Sequence, residues 1–320
     1  MKYSDFIVIS DLVPILVVIM NSQIRYGIDL GGTKIEGIVL DDANIVLARE
    51  RLPTESHQGY EHIIGQIGQV IKKLESATGS PCIQVGIGTP GTMDPQTGLL
   101  KNSNTVCLND KPFDKDLSQT LQKEVQLAND ANCFALAEVM AGSVKALGIK
   151  TEVVFGIIMG TGVGGGLVVN NKLIGGLQGI AGEWGHNHLD DSGGPCYCGK
   201  TGCVEKVLSG PSLEAYYHNL SGEKLSLQEI VARARSNSNP YARQTLDRLL
   251  DMFGKAVSVL INILDPDVIV IGGGVGNIEE LYTEGPQRIK KYIFNNRVDT
   301  KLIKPLLGDS AGVYGAAYLF

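Results

Sequence analysis

Short apolar blocks, each closed by glycines or a polar turn, run along most of this chain. Ile24–Leu30 reads as a core strand ending at Gly31-Gly32-Thr33-Lys34. Ile35–Leu40 and Ile45–Arg51 follow, parted by the turn Asp41-Asp42-Ala43-Asn44, which predicts an antiparallel meander. From Tyr60 the period changes. Ile63, Ile64, Ile67, Val70, Ile71 and Leu74 recur at helical spacing. Ile83–Ile87 and Val125–Ala128 are again strand-like, so the first half reads β-β-β-α-β-α-β. The plan then recurs. Val153–Met159 is a buried strand, Gly160–Gly166 a glycine loop, and Leu167–Asn170 a second strand. A long helix carries Leu246, Leu249, Leu250, Phe253, Val257, Leu260, Ile261 and Leu264 on one stripe. Asp265-Pro266-Asp267 stops it before the strand Val268–Ile271 and Gly272-Gly273-Gly274. A strand–glycine loop–strand unit in each half predicts two similar α/β lobes with a cleft between them. The expected division is a small lobe over 24–130 and a large lobe over 131–310.

Composition fits this reading. The 320 residues are 43% hydrophobic and 19% charged, enough apolar material for two cores. The net charge is −6 and no Lys/Arg cluster stands out, so nucleic acid is not an expected partner. Phe6–Met20 is apolar but broken by Ser10, Asp11 and Pro14, too short for a spanning helix and without a cleavage site. No membrane partner is expected, and the expected location is cytoplasmic. Residues 1–23 read as a dispensable leader, with Met20 as the expected native start.

Three glycine-lined segments carry candidate chemistry. A strand ending in Asp29-x-Gly31-Gly32-Thr33-Lys34 gathers backbone N–H groups, a hydroxyl and an ammonium, all suited to phosphate. Gly160, Thr161, Gly162 and Gly164 offer a similar set in the second half, and Gly272, Gly273 and Gly274 form a third. Neither of the first two is a P-loop or a dinucleotide fingerprint, because each joins two strands. Any one alone would read equally as a hairpin turn. Three together suit a ligand with phosphates and a flat base, such as ATP.

Six cysteines in a chain this long do not make a disulfide scaffold. Three of them crowd behind a histidine in the pattern His186-x9-Cys196-x-Cys198-x4-Cys203. One imidazole and three thiolates are a closed tetrahedral set, the usual chemistry of structural Zn²⁺. Asp130 stands at a strand end, just before the helical Ala131–Met140. There it reads either as a helix N-cap or as a carboxylate free to accept a proton. Glu183 and His186, three residues apart, would share one face of a helical turn. His57, His62 and His218 show no ligand spacing, and Tyr216-Tyr217 reads as packing.

At these residues the chain resembles a known family. Ile28–Lys34, Gly160-Thr161-Gly162-x-Gly164 and Gly272-Gly273-Gly274 resemble the phosphate and adenosine motifs of the two-lobed actin/hexokinase/Hsp70-like ATPase fold, a ribonuclease H-like fold. Leu127–Cys133, Gly182–His186 and Cys196–Glu205 are similar to the ROK sugar kinases (repressor, open reading frame, kinase), and the likeness runs from about Ile24 to Phe320. Lys101–Asn104, Pro112–Leu117 and Pro195–Lys200 resemble the bacterial fructokinase (mannokinase) branch.

The resemblance implies an ATP-dependent hexose kinase, with fructose the first acceptor, then mannose or glucose, then an N-acetylated hexosamine. It makes Asp130 the general base and places Asn104, Asn129, Asp130, Glu183, His186 and Glu205 around the sugar. Asp29 would hold Mg²⁺ through water, Thr33 and Lys34 would meet phosphates, and the zinc loop, 186–203, would shape the sugar site. The terminal segment, 311–320, would return to the small lobe as a last helix, and the expected assembly is a homodimer. The nine residues between His186 and Cys196 are fewer than fructokinase-like relatives often carry, and they border the pocket. Two other classes compete with a kinase. A repressor of the family carries a helix-turn-helix domain ahead of the kinase-like part, whereas 23 apolar, Pro-broken residues precede Ile24. A non-catalytic sugar sensor would be expected to lose Asp130 or the phosphate loops.

Overall fold

The computed structural model describes residues 24–320, so the expected leader and start at Met20 lie outside the described residues. Two five-stranded sheets share one plan. The first holds β1 (Arg25–Leu30), β2 (Lys34–Leu40), β3 (Val46–Pro53), β4 (Gln84–Thr89) and β7 (Glu124–Asn129), in the order β3-β2-β1-β4-β7. Between β4 and β7 lies a small ribbon of β5 (Thr92–Met93) and β6 (Leu100–Lys101). The second sheet holds β8 (Val153–Met159), β9 (Val163–Val169), β10 (Lys172–Leu173), β11 (Val268–Gly272) and β12 (Lys301–Ile303), in the order β10-β9-β8-β11-β12. In each sheet an antiparallel meander is extended by two parallel strands.

The parallel registers align the strand ends. Asp29 pairs with Gly88, and Thr89 pairs with Asn129, so β1, β4 and β7 present their carboxyl ends side by side. In open α/β sheets that edge is where ligands bind.

The glycine run after β8 differs from its sequence reading. The turn is confined to Gly160–Gly162, closed by the Gly160 N–H donating to the Gly162 carbonyl (2.9 Å). Gly164, Gly165 and Gly166 belong to β9 and pair with Ile158, Ile157 and Gly156. The reason is packing. Helix α3 (Asp130–Met140) lies so close to this strand that a Cβ on Gly166 would stand 2.7 Å from the Ala131 carbonyl oxygen. The glycines let strand and helix backbones touch.

Helix α1 (Tyr60–Thr78) buries Ile63, Ile64, Ile67, Val70, Ile71 and Leu74 on the first sheet. The long helix α7 (Pro240–Leu264) buries Leu246, Leu249, Leu250, Phe253, Val257 and Leu260, while Ile261 and Leu264 at its end are half-buried. Alongside it pack α4 (Val204–Leu208), α5 (Gly210–Ser221) and α6 (Leu227–Arg235), preceded in the chain by α2 (Phe113–Leu121) on the first sheet. The last helix, α8 (Ala311–Ala317), packs on α3 and on β1, β2 and β4. A Cβ on Gly315 would lie 1.8 Å from the Cys133 carbonyl oxygen of α3. Glu138 of α3 is fully buried and accepts hydrogen bonds from the Ser143, Leu306 and Leu307 N–H groups (2.7–3.0 Å), tying the approach to α8 onto α3. Among the described residues no helix is long and apolar enough to cross a membrane.

This packing makes two glycines behave oppositely. Gly315→Ala should lose about 1–3 kcal/mol of unfolding free energy by overpacking. Gly65→Ala, mid-helix with nothing near its missing Cβ, should gain about 0.5–1 kcal/mol. Urea unfolding of the two variants checks both signs.

Candidate active site

The junction of β7 and α3 decides the role left open for Asp130. Asn129, in extended conformation, is the N-cap, and its Oδ1 accepts from the Asn132 N–H (2.7 Å). Asp130 is the first helical residue. One carboxylate oxygen accepts from the Ala131 N–H (2.8 Å), and the group opens onto the cleft. Because the cap is Asn129, the Asp130 carboxyl is available for other chemistry.

That cleft is a cavity of about 650 Å³. All six sugar-site candidates, Asn104, Asn129, Asp130, Glu183, His186 and Glu205, line it together with Gly160, Thr161, Gly162 and Gly164. Each is held by local structure. Asn104 follows buried Ser103, whose N–H and carbonyl are both bonded by the Asn109 side chain (2.9 Å each). Glu183 precedes a single 3-10 turn, Trp184–His186, anchored by buried Trp184 set edge-on to Phe155 at 6.3 Å. Glu205, in the first turn of α4, accepts from the Val163 N–H (3.0 Å). It thus braces the second glycine turn while it faces the cleft.

Three carboxyls here are pushed upward. Burial raises Asp29 to about 6, with the charges of Asp130 and Glu36 adding and Lys34 opposing. Asp130 is reached by solvent through the cleft, yet protein encloses it on its other sides. That desolvation raises it, against the bond from the Ala131 N–H. Burial also raises Glu183; His186 opposes, while Asp130 and Glu205 add. Acids this close are poised to receive cations, hydroxyl protons or both.

The other phosphate-loop candidates do not line this cavity. Asp29 sits at the carboxyl end of β1, close enough to Asp130 for their charges to interact. Gly31, Gly32 and Thr33 form the β1–β2 turn, in which the Gly31 N–H donates to the Lys34 carbonyl (3.0 Å). The Lys34 ammonium is 3.0 Å from Glu36, so a phosphate must compete with that carboxylate for it. Glu36 itself is buried and also binds Arg49 (2.7 Å) and Arg51 (3.0 Å). Burial alone would raise Glu36, but the bonds from Arg51 and Lys34 hold it below the usual carboxylate range. Gly272 ends β11, and Gly273 and Gly274 open a single helical turn. A Cβ on Gly160 would lie 4.0 Å from the Gly274 nitrogen, and the Gly210 N–H donates to the Gly160 carbonyl (2.8 Å). The third glycine segment therefore meets the second glycine turn at Gly160, which lines the cleft.

Beside the cleft, the ligand atoms of His186, Cys196, Cys198 and Cys203 all lie within 4.8 Å of one another. His186 Nδ1 is 3.6 Å from Cys196 Sγ, and Cys198 Sγ is 3.6 Å from Cys203 Sγ. Tetrahedral zinc, with Zn–S of about 2.3 Å and Zn–N of about 2.0 Å, sets S···N near about 3.5 Å and S···S near about 3.8 Å. The four residues fit that ion. Tyr197 has no role expected from sequence, but it lines the cleft, with its hydroxyl 3.0 Å from His186 Nε2. Its place between two cysteines of the cluster was the available signal. Tyr217 is buried as expected, whereas Tyr216 lies under the Arg248 guanidinium at 4.5 Å.

Known proteins share this architecture along nearly the whole chain. The model of the ROK family matches residues 25–320. An N-acetyl-D-glucosamine kinase of Vibrio atlanticus is 36% identical over 304 residues, covering 92% of this chain and 98% of that protein. A ROK hexokinase from Thermus thermophilus superposes with a TM-score of 0.81 at 29% identity, over 93% of this chain and 97% of that one. A ROK family glucokinase from Streptomyces griseus, solved with glucose and AMPPNP, gives 0.72 at 27% identity, over 93% and 99%.

The carboxylate and metal clusters each generate a test. An ordinary aspartate titrates near about 3.9. Asp29 titrates near 6 when folded, so the native state holds its proton more tightly. Stability from this group is full below about pH 4 and is lost as pH rises through about 6. Asp29→Asn should therefore raise Tm most above that range and leave it unchanged near pH 4, as thermal melts at the two pH values will read. For the metal cluster, elemental analysis should find about one zinc per chain, and Cys198→Ser should release it and loosen the loop from His186 to Glu205.

Proposed function

The chain belongs to the ROK family and is a sugar kinase of it, and on that premise we propose that it transfers the γ-phosphoryl group of Mg·ATP to a hydroxyl of N-acetyl-D-glucosamine. The observation that carries the reaction is the meeting, in one cleft, of Asp130 with Asn104, Glu183, His186 and the Gly160–Gly162 turn. Phosphoryl transfer asks mainly for positioning and charge stabilisation. Asp130 accepts the proton of the attacking hydroxyl as the oxygen–phosphorus bond forms and the bond to ADP breaks. Glu183, Glu205 and the Asn104 and Asn129 amides orient the sugar. Asp29 is the residue that would hold Mg²⁺ through water, and the Gly31–Lys34 and Gly160–Gly164 segments would meet the phosphates. Gly272–Gly274 would border the adenosine. The zinc ion, held by His186, Cys196, Cys198 and Cys203, would fix the sugar-side loop. Its four ligands leave no open position.

The acceptor follows the relatives. Several N-acetyl-D-glucosamine kinases, at 34–36% identity over 98% of their length, support that sugar. Fructose, expected from the short motifs Lys101–Asn104, Pro112–Leu117 and Pro195–Lys200, becomes the second reading. Likeness across the whole chain outweighs those segments.

A sugar panel with Mg·ATP and ADP detection tests the proposal. N-acetylglucosamine should give the highest kcat/KM among it, N-acetylmannosamine, glucose, mannose and fructose. A maximum at fructose would replace the acceptor, and no turnover with any hexose would remove the activity. Asp130→Asn should keep ATP binding and lose about a hundredfold or more in kcat. Turnover within threefold of wild type would take Asp130 out of the role of base.

A further inference from the structure

Tyr197 stands out among the residues around the cleft. It is 82% exposed, unusual for an aromatic with so fixed a setting. It stands between Cys196 and Cys198, and its ring sits edge-on to His186 at 5.1 Å and 86°. Its hydroxyl is 3.0 Å from His186 Nε2. A side chain this exposed contributes little to folding. The orientation by His186 and the place in the cleft wall therefore need another reason.

Hydrogen-bond polarity supplies one. His186 Nδ1 is the ring nitrogen that faces Cys196 Sγ, so it is the one turned to the metal cluster. A neutral imidazole bound through Nδ1 carries its proton on Nε2, which then donates to the Tyr197 oxygen. Among the described residues the phenolic O–H then has no protein acceptor. The charged groups that share this wall, Asp130, Glu183 and Glu205, are carboxylates and accept hydrogen bonds. They suit sugar hydroxyls, which donate. An acetamido carbonyl cannot donate and needs a donor opposite it.

We propose that Tyr197 is the specificity residue of the sugar site, donating its phenolic hydrogen bond to the acetamido carbonyl of the acceptor and covering the acetyl group with its ring. This rests on the N-acetylhexosamine reading of the acceptor. It predicts selection for N-acetylated hexoses through one side chain that hexoses without an acyl group do not require.

The test compares wild type with Tyr197→Phe and Tyr197→Ala, using calorimetric binding of N-acetylglucosamine and of glucose without nucleotide, then kinetics with each. Zinc content and Tm are measured alongside. Tyr197→Phe should weaken N-acetylglucosamine binding about tenfold, and its KM likewise, while glucose binding, the KM for ATP and kcat stay within twofold. Zinc content and Tm should not move. Tyr197→Ala should lose more affinity for the acetylated sugar by removing the ring as well. Unchanged N-acetylglucosamine binding in Tyr197→Phe would overturn the inference. So would an equal loss for both sugars, or a loss accompanied by lower zinc content, since either marks a structural role. Failure of the wild type to bind N-acetylglucosamine while binding another hexose would sink the acceptor reading itself, and this inference with it.

Discussion

Two helices held at backbone contact between two sheets determine everything else in this protein. α3 and α8 cross where Gly315 leaves no room for a Cβ against Cys133, and each meets a sheet through further glycines. A Cβ on Gly86 would lie 1.8 Å from the Ala316 carbonyl oxygen, and one on Gly156 would lie 2.7 Å from the Ala135 side chain. Interiors packed this closely transmit any added volume as displacement. The displacement would reach the site directly. Asp130 begins α3, and Gly312 of α8 is so close to Asp29 that its Cβ would stand 3.1 Å from that carboxyl. The spacing of the two acids is thus set by bare backbone behind them.

That spacing carries an electrostatic cost. Asp29, Asp130 and Glu183 are all pushed upward by burial, and other acids nearby add to the rise of Asp29 and Glu183. Lys34 opposes the rise of Asp29 without cancelling it. Lys34, Arg49 and Arg51 are gathered around buried Glu36. The cleft is therefore an acidic cavity built beside a compensated ion cluster. Such a cavity favours ligands that bring positive charge and hydroxyl protons. The magnesium ion of a nucleotide complex would supply the first and a polyol the second. The same strain is consistent with a base that takes a proton only as bond-making advances, since a carboxyl with a raised pKa is the better acceptor.

How much of this could be read from the chain depends on what each residue type encodes. The strands of the first meander and β8 were legible because apolar blocks closed by turns have few other readings, whereas the two-residue β10 carried no such signal. The four metal-cluster residues were legible from spacing alone. Gly164–Gly166 was not, because glycine marks a ligand loop and a close strand–helix contact equally, and only the partner helix distinguishes them. Asp130 was ambiguous for a similar reason. Asn and Asp cap helices about equally well, so Asn129-Asp130 does not say which residue caps. Lys34 shows a third limit. Its place in a glycine turn suggested phosphate, but the acid that engages it, Glu36, lies two residues on along the same strand and has no signature of its own.

The loop that carries Cys196, Cys198 and Cys203 is joined to the large lobe by more than its cysteines. Arg248 of α7 donates to Ser192 and lies over Tyr216 of α5, and Lys255 of α7 donates to the Leu189 carbonyl (2.9 Å). Glu205 then links the same region to the second glycine turn through Val163. Glu183, His186, Tyr197 and the Gly160–Gly162 turn are consequently parts of one braced wall. Asn104, by contrast, comes from the loop after the small ribbon, which meets the large lobe through Thr92 and Lys101 bonding the Gly179 and Gln178 carbonyls (3.1 and 3.0 Å). Both contacts are side chain to backbone and lie at the surface or partly buried. Neither bond takes part in the links that brace the wall, so the Asn104 side is joined to it through separate contacts.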